Sequence, residues 1–221
     1  MVTDQRREPG TAVETRRQLR RAGCPPAGCD LPQVVAEAED LARYLLREDP
    51  ERLAHSAAVA GRAQLLTAAT HAAQAPLLVA AAWLHDVGYH AVLKDTGFHP
   101  LDGARHLQRS GWPPSVCDLV AHHSGSRFVA AARGLGEELA SFDFVEDDLT
   151  DALTVADQTA GPHGRAMGVS ERLQDILTRH GRDSPNARAH PNREPYLLSA
   201  AHRVIARLHA VGIGPDHHRI L

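Results

Sequence analysis

The chain has 221 residues, 43% of them hydrophobic, enough to bury one sizeable core and a small appendage rather than several domains. Aromatics make up only 4%, so the apolar content rests on Ala, Leu and Val and favours helices over sheets. A formal net charge of -3 argues against a basic field for polymeric nucleic acid, and no apolar run reaches the length of a bilayer span. Cys24, Cys29 and Cys117 form neither a C-x-x-C pair nor a disulfide framework, which suits a reducing cytoplasm.

In chain order, residues 1–32 mix Arg6, Arg7, Arg16, Arg17, Arg20 and Arg21 with Pro9, Gly10, Pro25, Pro26 and Gly28. This composition reads as a disordered arm whose arginines are offset by Asp4, Glu8 and Glu14. Its charges lack the apolar segment of a secretory signal. Val34 to Leu46 carries apolar residues at helical spacing, and Pro50 separates it from a second helix running through His55 to about Thr70. Pro76 opens a stretch from Leu77 to Val87 that is apolar nearly all round, as expected of a central bundle helix, and Gly88 stops it. The segment from Gly134 to Asp148, with Phe142 and Phe144 among acidic residues, forms either a lid or a joint. Ser170 and Glu171 open a helix through Leu177 that Gly181 ends, Ser184-Pro185-Asn186 begins a short element, and a final helix spans Glu194 to Val211. That last helix covers the core or forms a dimer face, and no site is assigned to it. The expected organisation is all-α: an arm over 1–32, a metal-binding helical bundle over 33–165 and a C-terminal helical extension over 166–221.

The chemistry concentrates in His55, the pair His85-Asp86, His99, His123 and Asp157, each at or near the end of an expected helix. Imidazole nitrogens and carboxylate oxygens are ligands for first-row divalent metals. Consecutive helical residues point about 100° apart, so His85 and Asp86 can reach one site only as a terminal pair. The remaining histidines, among them His71, His90, His106, His163 and the terminal His217-His218, read as surface or satisfied polar residues.

Three segments carry a family resemblance. Ala80-Ala81-Ala82-Trp83-Leu84-His85-Asp86-Val87-Gly88 resembles the signature of the HD superfamily of metal-dependent phosphohydrolases. Arg52-Leu53-Ala54-His55-Ser56 is similar to the family's first ligand helix, and Leu153-Thr154-Val155-Ala156-Asp157 to its last. The resemblance covers roughly Leu53 to Ala160. It implies an HD helical domain in which His55, His85, Asp86 and Asp157 hold one metal, with positions left open for water and substrate. Phe98-His99-Pro100-Leu101-Asp102-Gly103-Ala104 and Val120-Ala121-His122-His123-Ser124-Gly125 are similar to elements of the two-metal subset that cleaves symmetric dinucleoside polyphosphates. That match implies His99 and His123 as ligands of a second metal, with Asp86 bridging. His122 joins them only if the helix ends there.

One departure is Tyr89, which stands where many phosphohydrolases of this superfamily carry a lysine. Lys94, Arg105 or Arg127 can replace that cation, Arg127 being best placed by sequence. The resemblance implies hydrolysis of a phosphate ester or anhydride of a small, nucleotide-like molecule, with one or two divalent ions drawn from Fe, Mn, Co, Ni or Zn. The missing lysine also fits HD-fold mixed-valent di-iron oxygenases, and a binding module that senses a nucleotide without turnover is the third expectation.

Overall fold

The computed structural model describes residues 31–161, 165–181 and 183–213. The expected arm, His163 and His217-His218 lie outside the described residues. Among those residues the chain is all-α, with one isolated bridge between Ala160 and Ala166.

Helix starts follow from caps and prolines. Helix α1 (Leu31–Leu45) buries Val34, Ala38, Leu41, Ala42 and Leu45 at the expected spacing. Pro50 opens α2 (Pro50–Leu66), where Asp49 accepts a hydrogen bond from the Arg52 backbone N–H at 3.0 Å. Proline also stands in the first turn of α3 (Ala75–Leu84), α4 (His99–Arg109) and α5 (Pro114–His122). A 3₁₀ turn, His123–Gly125, leads from α5 into α6 (Ser126–Arg133), and the short α7 (Gly136–Leu139) follows. Asp147 caps α8 (Asp148–Thr159) by accepting from the Thr150 backbone N–H at 2.9 Å. Helix α9 (Val169–His180) ends at Gly181, whose φ of 78° only glycine adopts readily.

The centre of the bundle is α3. Every residue from Leu78 to Leu84 is buried, with α1 and α2 packed on it and α5 and α8 against its other sides. Burying a leucine such as Leu78 or Leu84 contributes about 2 kcal/mol each. Helix α10 (Pro185–Ala210) lies over α8, α6 and α9 and buries Leu197, Ala201, Val204 and Leu208, so it covers the core.

One expectation is corrected here and one open alternative is decided. The short element at Ser184 and the final helix are one continuous helix, with Pro191 and Pro195 inside it. Both prolines are exposed and lie four residues apart, so the hydrogen bonds they remove fall on the solvent face, where water can take the freed carbonyls. The segment from Gly134 to Asp148 is a joint rather than a lid: it buries Leu139 and Phe142, and none of its residues lines the cavity described below.

Candidate metal centre

Helix ends bring the candidate ligands together. His85 keeps helical backbone angles at the end of α3, whereas Asp86 turns out of it at φ -104°, ψ 3°, and a 3₁₀ turn (Val87–Tyr89) follows. Gly88 makes the next step possible, because a Cβ there would overlap the His99 carbonyl oxygen and lie 2.7 Å from the Gly103 backbone nitrogen. The start of α4 therefore docks directly on this turn and sets His99 against Asp86. His55 projects from α2, His123 follows the last residue of α5, and Asp157 occupies the last turn of α8.

The side chains form two buried groups that share Asp86. His55, His85 and Asp86 make one and Asp86, His99 and His123 the other, with the ligand atoms of each group within 4.8 Å of one another. His99 Nε2 lies 3.2 Å from Asp86 Oδ1, and His85 Nε2 lies 3.5 Å from Asp86 Oδ2. Asp157 stands beside the first group, its Oδ1 3.0 Å from His55 Nε2, while the Ser124 hydroxyl donates to its Oδ2.

The donor set fits a cation. His85 Nδ1 donates to the Ala82 carbonyl at 2.8 Å and His123 Nδ1 to the Val120 carbonyl at 2.7 Å, which leaves each Nε2 as an inward lone pair. His85 Nε2 is buried without a hydrogen-bond partner, and His99 Nε2 faces His123 Nε2 at 3.3 Å. The inward lone pairs of His85 and His123, set beside the Asp86 and Asp157 carboxylates, suit a positive ion at that point. These residues can therefore hold a metal ion.

The electrostatics agree. Burial opposes ionisation of Asp86, but His85, His99 and the Arg52 guanidinium hold its carboxyl well below the usual range. Asp157 is likewise held low against burial by His55, His85 and Arg172. Burial and the neighbouring His85 and His99 push His123 down to about 3, and burial lowers His99, so both stay neutral imidazoles. For His55 burial is outweighed by the hydrogen bond and charge of Asp157, and its pKa is raised.

Other candidates fall elsewhere. The helix does end at His122, yet His122 turns away and donates from Nε2 to the Phe142 carbonyl at 3.0 Å; it belongs to neither group. Arg127 stacks over Phe128, Phe144 and Tyr196 at 4.7, 3.8 and 4.5 Å, and Lys94 is exposed; neither lines the cavity, and Arg105 pairs with Asp95. Tyr89 does line it, stacked on His99 with centroids 4.0 Å apart and covered by the Arg52 guanidinium at 3.8 Å. His106, expected to be surface or satisfied, is buried and its Nε2 has no partner.

A cavity of about 430 Å³ opens beside the two groups, and its cationic side chains are Arg52, Arg133, Arg172 and Arg193. None of these was a sequence candidate. Arg52 donates to Asp86 Oδ2 at 2.9 Å, and its position three residues before His55 on one helix face was the available signal. Arg172 and Arg193 come from the C-terminal extension, beyond the segment that carries the family resemblance. Each interrupts an otherwise apolar helix face, Arg172 between Val169 and Ile176 and Arg193 between Ala189 and Leu197. No family model, no curated protein and no solved structure matches the chain, so the reading of this site rests on its own residues.

Proposed function

We propose that the protein is a metal-dependent phosphohydrolase that cleaves a phosphate ester or anhydride of a small, nucleotide-like molecule in the cytoplasm. The observation that carries this reading is the sharing of one carboxylate, Asp86, by two buried His/Asp groups at the wall of an arginine-lined cavity. The resemblance of the surrounding segments to the HD phosphohydrolases supports it. His55, His85 and Asp86, with Asp157 alongside, would hold one ion, and Asp86, His99 and His123 a second. A divalent cation bound there supplies Lewis acidity toward a phosphoryl oxygen and a water acidic enough to yield hydroxide near neutral pH.

The chain's own residues prepare the reaction. Arg52, fixed between Asp86 and the ring of Tyr89, keeps the Asp86 carboxylate ionised and oriented. The Ser124 hydroxyl and the Gln158 amide, the latter 3.3 Å from Asp157 Oδ2, fix the second carboxylate. Neutral His123 presents its Nε2 lone pair, and His99, also neutral, hydrogen-bonds the Asp86 carboxylate through Nε2. The arginines then meet the oxygens of the phosphoryl group in the bidentate geometry that guanidinium favours. A cavity of about 430 Å³ on a chain of net charge -3 suits a small phosphorylated molecule better than a polymer.

The test is metal content of protein purified without added metal, followed by phosphate release from a panel of nucleotides. Metal-bound protein that releases phosphate, with Asp86→Ala losing at least about a thousandfold in rate, is the expected outcome. A broad panel with no release from metal-loaded protein would sink the proposal. A second reading, an oxygen-activating di-iron enzyme, is favoured by Tyr89 standing against His99 in place of a hydrolytic lysine. Oxygen uptake by iron-loaded protein supplied with a polyol or phosphonate would put that reading first.

A further inference from the structure

Two cations in the cavity keep spare donors, although the charge of the buried Asp157 carboxylate acts on both of them. Arg52 is matched by Asp86, and Arg133 donates to the Gly97 carbonyl at the exposed rim. Arg172, by contrast, is 8% exposed, its Nε is buried with no hydrogen-bond partner, and its Nη1 reaches Asp175 only at 3.3 Å. Arg193 is also 8% exposed; its Nε donates to the Ser124 carbonyl at 2.8 Å, and both its Nη groups are left without a protein acceptor among the described residues. Both side chains line the cavity, together with Ser184, Pro185 and Asn186 at the start of the 26-residue α10. That helix end adds backbone partial positive charge at the same place. Beyond what Asp157 and Asp175 supply, two guanidiniums buried near each other with spare donors favour a further anion.

We infer that Arg172, Arg193 and the first turn of α10 form an oxyanion subsite, separate from the His/Asp groups, that holds a second, non-reacting phosphoryl group of the substrate. The inference deepens the phosphohydrolase reading and rests on it only for the reacting end. The substrate class narrows accordingly, from any phosphate ester to a molecule with two phosphoryl groups, one at the His/Asp groups and one on the arginines. The fork of each guanidinium matches phosphoryl oxygens, and side chains rigidly held by burial lose little freedom on binding.

The experiment is calorimetric titration of inorganic phosphate, with acetate in parallel, into the full chain treated with chelator. Saturable phosphate binding is expected, weakened at least about tenfold in Arg172→Gln and in Arg193→Gln, with acetate bound more weakly than phosphate. Circular dichroism identifies the variants that fold, and Arg172→Lys and Arg193→Lys, which keep the charge but lose the fork, replace any that do not. In the unmodified chain the arginine Nε–H resonances supply a readout that needs no substitution: phosphate shifts those of Arg172 and Arg193 and leaves those of exposed arginines in place. No phosphate binding, unchanged binding in the folded variants, or acetate bound as tightly as phosphate would overturn the subsite. Arginine-dependent phosphate binding in a protein that neither takes up metal nor releases phosphate would retire the hydrolase and leave the subsite standing. Phosphate release with unchanged KM in both arginine variants would do the reverse.

Discussion

The wall of the cavity that carries Asp86, His99 and His123 and the wall that carries Arg172 and Arg193 face the same space but are built on opposite plans. The first uses helix ends, where the backbone changes direction and neighbouring residues such as His85 and Asp86 can converge. The second uses long side chains on the inward faces of α9 and α10, which reach the cavity without any local break in the helix. Helix ends give close convergence of short ligands, as a metal requires. Helix faces give reach, as an anion at some distance requires.

The largest expected effect tests how the walls are joined. Asp151, 0% exposed on α8, accepts from Arg203 of α10 at 2.9 and 2.6 Å and lies 2.8 Å from Arg207. Asp151→Ala strands Arg207, leaves Arg203 with Glu146 at 2.8 Å, and should cost about 3 kcal/mol in denaturant titration, the low end for a broken buried pair because Arg203 keeps that partner and 34% of its side chain in water. Metal content should survive while phosphate affinity falls. A loss below about 1 kcal/mol would mean that the walls are held together elsewhere.

Acid separates the first wall's helices from its ligands. His106 on α4, buried beside Arg109 and His90, has its pKa lowered by burial from 6.5 to about 4. The unfolded chain takes up this proton first, so stability falls as pH drops from 6.5 through 4 and levels below that. Wild type should lose about 3 kcal/mol more than His106→Leu across that window, measured as the difference between their denaturation midpoints. Parallel slopes for the two proteins would contradict the assignment.

The smallest effect sharpens the contrast within one dipeptide. His122→Ala removes the bond to the Phe142 carbonyl and should cost about 1 kcal/mol in thermal melting, with metal content unchanged. His123→Ala should lose up to one metal equivalent. Metal loss in His122→Ala would return that residue to the ligand set.

The first wall was legible because its signals are local. A histidine and an aspartate closing an apolar helix, with Gly88 after them, already imply a terminal pair, and the prolines that start α2, α3, α4 and α5 fix where the helices begin. What the sequence hid depends on tertiary choice. Pro191 and Pro195 read as breaks, yet burial of Tyr196, Leu197 and Ala201 against the bundle outweighs two missing hydrogen bonds on the wet face. His123 turns inward and His122 away because the helix ends between them, His122 at ψ 6° and His123 at φ -56°, ψ 145°; the chain then continues through Ser124 at φ 51° and Gly125 at φ 65°, and a serine does not announce that conformation. Arg172 and Arg193 sit on apolar faces, but only the docking of α9 and α10 reveals that those faces end at a cavity.

Ser124 also sets a limit on how far this protein can drift in sequence. Its hydroxyl serves Asp157 on one side of the cavity and its carbonyl serves Arg193 on the other, while its backbone stays left-handed. Valine and threonine resist that backbone, glycine and alanine lack the hydroxyl, and asparagine accepts the backbone but brings a longer, differently shaped donor. The tolerated alphabet at this position is therefore close to a single letter, although the residue belongs to neither His/Asp group. Mutational scanning would find its narrowest position here, between the two walls rather than within either.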